Sequence, residues 1–163
     1  MIRFIVAVDR KGGIAKHGFM PWNIPADEAY FTEKTKSLGG NVMTGGVTFR
    51  EAYNGTPLAD RENFILTHDS SPIPGATVVN DINSFLDGFK NDLWVAGGSK
   101  VFEEILDKAD ELYLTHIDAD FACDQFFPLF SEINEAFELD SKSEPEEQNG
   151  FHFYYAIYRR KAT

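Results

Sequence analysis

The stretch "WVAGGSKVF", Trp94 to Phe102, passes from an apolar run through two glycines into a segment that places Val101, Phe102, Ile105 and Leu106 on one stripe. An apolar run that stops at Gly-Gly and resumes with helical spacing reads as a strand turning sharply into a helix. The same pattern occurs in "VMTGGVTF", Val42 to Phe49. Working outward, "NFILT", "ATVV" and "ELYLTHI" are further short apolar runs, and Ile2 to Val8 is an almost unbroken one, as expected of an interior strand covered on both faces. Helix-like segments fall between several of them, at Val47 to Tyr53, Ile82 to Phe89 and Lys100 to Leu106, and another runs from Pro25 to about Ser37. Strands alternating with helices imply parallel pairing through right-handed crossovers. After "ELYLTHI" the alternation stops, and Phe137 to Leu139 with Phe151 to Tyr158 suit an antiparallel pair closing one edge. The fold class expected is α/β, with a mostly parallel central sheet flanked by helices and an antiparallel C-terminal edge, and residues 1–163 forming a single domain.

Composition narrows the function. The formal net charge of −11 disfavours nucleic acid and anionic membranes, which need a basic face. Much of the excess lies between Ser131 and Asn149, where Glu132, Glu135, Glu138, Asp140, Glu144, Glu146 and Glu147 face one Lys142, a pattern expected to be solvated. One cysteine, Cys123, forms no intrachain disulfide, so a cytoplasmic location is expected. The four histidines are scattered with no pair at zinc-site spacing, and no metal is assigned.

Chemistry has few places to sit. There is no GxSxG elbow, and Cys123 has no adjacent histidine. The two Gly-Gly turns let a backbone approach a ligand closely, and helix starts hold phosphate oxygens, so together they suggest a dinucleotide. A tight strand-to-helix turn explains either one alone. Asp27 stands out in "FMPWNIPADEAYF", Phe19 to Phe31, a carboxylate among Met20, Trp22, Ile24 and Phe31. Apolar surroundings raise its pKa and the start of a helix lowers it, and the sequence leaves open which prevails. Hydride transfer fits one carboxylate beside a dinucleotide, because the nicotinamide supplies the reactive atom and the protein manages one proton. The long segment Asp9 to Asn23, with Gly12, Gly13, Gly18 and Pro21, is expected to be a loop acting as a lid.

In order, "AVD", "MPWNIPAD", "TGGVTF", "PLADR", "WVAGGSKVF" and "LYLTHIDADFACDQFFP" resemble the dihydrofolate reductase family along nearly the whole chain. The resemblance implies reduction of 7,8-dihydrofolate by NADPH, with dihydrofolate and antifolates as small-molecule partners and a monomeric enzyme. It assigns Asp27 to the pterin ring and to protonation of N5, Trp22 to an ordered water and Met20 to the lid over nicotinamide. Ile5, Ala7, Glu28, Phe31, Leu58 and Ala96 would line the folate site. Arg61 would pair with the substrate's α-carboxylate, Thr115 would support Asp27, and Asp124 would tether the lid. Cofactor contacts would come from Ala7, Ile14, Gly45, Gly46, Val47, Thr48, Thr67, His68, Gly97, Gly98, Ser99, Lys100, Val101 and Phe102.

The departures are informative. Gly46 and Val47 stand where many relatives carry cations, and Lys100 stands where arginine is common, so Lys100 and His68 are expected to compensate. Glu28 replaces an apolar residue and either points outward or leaves a roomier, more polar cleft. Ala96 replaces a larger aliphatic, and Phe102 a tyrosine. Two alternatives remain open at the level of sequence: a pyrimidine reductase of riboflavin synthesis with the same fold, and a folate- or dinucleotide-binding module without turnover.

Overall fold

The structure, a computed structural model, describes residues 1–128 and 130–162. Its centre is β1 (Ile2–Val8), which pairs in parallel with β6 (Leu93–Val95) on one side and β7 (Glu111–Ile117) on the other. Beyond β6 lie β3 (Asn41–Gly45), β4 (Glu62–Leu66) and β5 (Ala76–Val79), all parallel. Beyond β7 lies antiparallel β11 (Phe151–Arg160), whose far side carries β9 (Phe137–Lys142) and β10 (Glu146–Gln148). Among the described residues these nine strands form one sheet in the order β10-β11-β7-β1-β6-β3-β4-β5, with β9 also on β11. This is the α/β sheet with an antiparallel edge that the strand–helix alternation predicts.

The near-continuous apolar run of β1 has a plain cause, since both faces of that strand are covered. Phe4 and Val8 pack on one side with Val95, Phe102, Ile105, Leu112 and Leu114. Ile5 packs on the other with Val42 and Trp94, and Ala7 with Trp22, Ile24 and Phe153. The helices α1 (Pro25–Lys36), α2 (Gly46–Glu51), α3 (Ile82–Gly88) and α4 (Ser99–Ile105) follow strand ends or loops where the sequence places them. In α3 the Asp81 carboxylate caps the first turn by accepting from the Asn83 and Ser84 N–H groups at 3.0 and 3.2 Å.

Four elements depart from expectation. The segment Asp9 to Asn23 is not all loop: β2 (Gly13–Ala15) pairs with β8 (Gln125–Phe126) in a small second sheet. Its pairing is set by tertiary contact, for a Cβ on Gly13 would lie 2.4 Å from Cys123 Cβ. Strand β10 and helix α5 (Phe130–Ala136) also carry no usable hydrophobic period. The acidic segment is solvated as expected at Glu135, Glu138, Asp140, Glu144, Glu146 and Glu147; the side chain of Glu132 lies outside those described.

Candidate active site

Asp27 is held by the start of α1. Pro25 occupies the first turn, where its missing N–H costs nothing, and the Asp27 N–H donates to Ile24 O at 2.9 Å. The turn between β10 and β11 fastens this segment from the other side of the chain: the Ala26 N–H donates to Gln148 Oε1 at 2.6 Å, and Asn149 Nδ2 to Asn23 O at 2.9 Å. So placed, Asp27 Oδ1 accepts a 2.7 Å hydrogen bond from the hydroxyl of Thr115. Thr115 is buried in the middle of β7, between Ala7 of β1 and Tyr155 of β11.

Burial raises the Asp27 carboxyl above its ordinary pKa; the Thr115 hydrogen bond pulls it back and Glu28 adds a smaller push upward. Desolvation therefore prevails in the contest that the sequence leaves open. Beside the carboxylate, Tyr30 and Tyr155 stack at a ring separation of 4.0 Å. Burial raises both phenols, Tyr155 to about 12, and the Asp27 charge contributes to each. Neither tyrosine was singled out by sequence.

A wall extends from Asp27 along the sheet. Ile5, Val42 and Trp94 form a buried cluster against which Tyr30, Phe31, Leu58 and Ala96 pack, so four of the expected folate-site residues meet in one place. Ala7 and Trp22 belong to the adjoining cluster, with the Trp22 ring 5.1 Å from that of Phe121. Trp22 Nε1 is buried and, among the described residues, has no hydrogen-bond partner, so it calls for an acceptor from outside the protein. Glu28 is exposed and near enough to Asp27 to act on its charge. Arg61 lies at the far end, its Nε donating to Ala59 O and its Nη1 to Thr35 Oγ1, both at 2.9 Å.

The cofactor-side residues gather at the carboxyl ends of β3, β4, β5 and β6. Because β3 and β6 are neighbours, the two Gly-Gly turns face each other, and the Gly45 N–H donates to Gly97 O at 2.8 Å. The Gly97–Gly98 peptide is cis. Close approach excludes side chains here: a Cβ on Gly98 would stand 2.5 Å from Thr48 Oγ1, and one on Gly45 2.9 Å from Val101 Cγ2. Between the turns opens a cleft of about 720 Å³ lined by Gly45, Gly46, Val47, Thr48, Thr67, His68, Gly98, Ser99, Lys100 and Val101. A cleft of that size, floored by side-chain-free turns at two helix starts, fits a dinucleotide.

Ala7, Ile14, Gly97 and Phe102 are not part of that lining. Phe102 is fully enclosed, its ring 5.0 Å from those of both Phe4 and Phe127, and Ile14 packs in the same core. Sequence reasoning passed over Arg50, Asn80, Asp81, Asn83, Glu104 and Gln125, which do line it. Their only sequence signal is proximity to strand ends.

Over the sheet, Phe19 and Met20 are 60% and 52% exposed, apolar side chains held at the surface of the lid segment. Besides the β2–β8 pairing, two carboxylates tie the segment down. The His17 N–H donates to Asp124 Oδ2 at 3.0 Å, as the resemblance implies. Asp9 is the second tie and was not anticipated: buried, it accepts from the N–H groups of Lys11, Gly13 and Phe121 at 2.9, 2.7 and 3.1 Å. Burial and nearby carboxylates push the Cys123 thiol up to about 12, which leaves it a poor nucleophile. Among the described residues no cluster of His, Cys, Asp or Glu is arranged to hold a metal, and no helix is long and apolar enough to cross a membrane.

A desolvated carboxylate at one end of an apolar wall, next to a cleft shaped for a dinucleotide, defines a nicotinamide-dependent reductase of the α/β class. The sequence model of the family described as dihydrofolate reductase matches residues 1–160. The chain is 32% identical over 164 residues to the dihydrofolate reductase of Bacillus subtilis, covering 99% of this chain and 95% of that one. It is 32% identical over 159 residues to that of Haemophilus influenzae, covering 96% and 97%. Among solved structures, dihydrofolate reductase from Enterococcus faecalis complexed with NADP(H) and RAB-propyl superposes with a TM-score of 0.87 at 28% identity, covering 99% of this chain and 97% of that one. The chain belongs to the dihydrofolate reductase family. Its reaction is accordingly the NADPH-dependent reduction of dihydrofolate.

Proposed function

We propose that residues 1–163 act as one monomeric, cytoplasmic enzyme converting 7,8-dihydrofolate to 5,6,7,8-tetrahydrofolate, with Asp27 managing the proton. The observation that carries this reading is the 2.7 Å hydrogen bond from Thr115 to a carboxylate whose pKa burial has raised, beside the wall of Ile5, Phe31, Leu58 and Ala96. A carboxylate accepts two parallel N–H bonds from an amino-pyrimidine edge, which gives planar recognition of the pterin and of antifolates built on the same edge. Thr115 occupies one carboxylate oxygen and fixes the group's orientation. With a raised pKa, Asp27 sits closer to neutrality, where general acid–base assistance is most effective. Trp22 Nε1, buried without a protein partner, is suited to hold the water through which the proton reaches N5.

When held in the cleft, NADPH would supply the hydride for C6. Gly46, Gly98 and Ser99 offer backbone N–H groups to its phosphates, and Lys100 a point charge. Met20 and the lid exclude water over the reacting rings. Arg61, whose guanidinium reaches Thr35 and Ala59 and makes no ion pair among the described residues, is placed to receive the substrate's carboxylate. The lone cysteine calls for no oxidising compartment, and the acidic surface favours a solitary chain.

The test is loss of nicotinamide absorbance with dihydrofolate, using NADPH and NADH in parallel. Turnover with NADPH is expected. Saturable folate binding with no hydride transfer from either nicotinamide would overturn the reading in favour of a silent binding module.

A further inference from the structure

The start of α2 carries no charge, because Gly46 is buried and Val47 has an apolar side chain. The space above Gly46 is nevertheless occupied. A Cβ built there would lie 3.1 Å from Thr67 Oγ1 and 3.3 Å from Arg50 Nη1. Arg50 is one helical turn further on, and helical side chains lean toward the N-terminus, so its guanidinium folds back over the glycine to the strand ends. A Cβ at 46 would press on both groups, so glycine there leaves the guanidinium its place.

From these contacts we infer that Arg50, together with the Thr67 hydroxyl, binds the phosphate on the adenosine ribose of the cofactor and so determines the choice of NADPH over NADH. The inference rests on the reading that a nicotinamide dinucleotide occupies this cleft. Thr67 Oγ1 already accepts from the Asp69 N–H at 3.2 Å, and among the described residues its proton has no protein acceptor, which suits donation to an anion. Two of the carboxylates nearby, Asp69 and Asp81, are engaged elsewhere. Asp69 accepts from the Ser71 N–H and is held below its ordinary pKa mainly by hydrogen bonding to Ser71, with a smaller pull from Arg50. Asp81 caps α3 and also accepts from the Ser84 hydroxyl.

Lys100 lies on α4 at the end of β6, while Thr67 lies two strands away at the end of β4, roughly 10 Å across the sheet by strand spacing. One dinucleotide can therefore set its central phosphates at the Gly-Gly turns near Lys100 and its ribose phosphate at Arg50. The expected compensation for the uncharged Gly46 and Val47 thus moves from Lys100 and His68 to Arg50, whose planar fork suits a phosphate better than a point charge.

Isothermal titration with adenosine 2′,5′-bisphosphate and with 5′-AMP reads this without turnover. Wild type is expected to prefer the bisphosphate at least tenfold. Arg50→Ala should weaken the bisphosphate at least tenfold with a much smaller effect on 5′-AMP, Arg50→Lys should restore part of the loss, and Gly46→Ala, which crowds the guanidinium without removing it, should fall between wild type and Arg50→Ala. Arg50 is exposed, and circular dichroism would verify that the variants fold. A less than twofold change for the bisphosphate in Arg50→Ala, or equal losses for both nucleotides, would overturn the assignment. Lost turnover of wild type with both nicotinamides would instead strike at the proposed reaction, so the two failures are distinguishable.

Discussion

At the α1 side of the cleft the candidate site holds one half-buried carboxylate. Asp27 is fixed by Thr115, by Pro25 and by the β10–β11 turn, and every part of that arrangement comes from a different strand or helix. At the β3–β4 side the contacts are backbone turns that no side chain may fill, with cations standing at their rim. A buried carboxylate works only where its few partners stand, so its surroundings tolerate little change. A turn that offers N–H groups works with its cation on any neighbouring position. Hence an uncharged Gly46 and Val47 coexist with an intact Asp27 and Trp22: the exposed charge can migrate by one helical turn, and the buried one cannot.

Breaking the buried side should have the largest effect. Asp27→Asn is expected to reduce turnover about 100- to 10,000-fold near neutral pH, the range for loss of a positioned acid–base group. Part of the rate should return at low pH, where substrate arrives already protonated. The same variant should be more stable than wild type at neutral pH. Unfolded Asp27 loses its proton at lower pH than the folded residue, so wild type loses stability as pH rises across that interval, while asparagine has no proton to lose. Urea melts at acid and neutral pH would show the difference between the proteins growing with pH.

Arg61→Ala should raise KM for dihydrofolate about 10- to 100-fold, as expected for losing hydrogen bonds to a charged group, and leave kcat within a few-fold. A dominant loss in kcat would place Arg61 near the chemistry instead. Asp9→Ala removes the acceptor of three N–H groups, of which the Gly13 one is buried, and should cost about 1 to 3 kcal/mol of stability, read as a lower urea midpoint. It also severs the tie between the lid and the Phe121 loop, so lid closure should slow along with it. Thr115→Val is the mildest, with about fivefold weaker substrate binding and a shift of the pH profile toward higher pH, because the lost hydrogen bond favours the charged carboxylate.

The sheet was largely legible in the sequence, because Ile2–Val8, Asn41–Gly45 and Leu93–Val95 are short apolar runs with glycine or charged breaks. What escaped were β2, β8 and β10, two or three residues each, whose pairing depends on partners distant along the chain. The apolar wall beside Asp27 was legible as a site only through the order of motifs, since Ile5 or Phe31 alone reads as core. Phe102 shows the limit of that transfer: it occupies a cofactor position by motif and a core position by packing. Arg50 and Asp9 escaped for a different reason. Their roles come from where the chain folds back, over Gly46 in one case and against the Phe121 N–H in the other.

The central claim is that burial prevails at Asp27, and a carbon-13 NMR titration of its labelled carboxyl in the ligand-free protein tests it most directly. The account expects a midpoint above the ordinary carboxylate range, moving higher in Thr115→Val and lower in Glu28→Gln. A midpoint at or below the ordinary range, unmoved by either change, would contradict it.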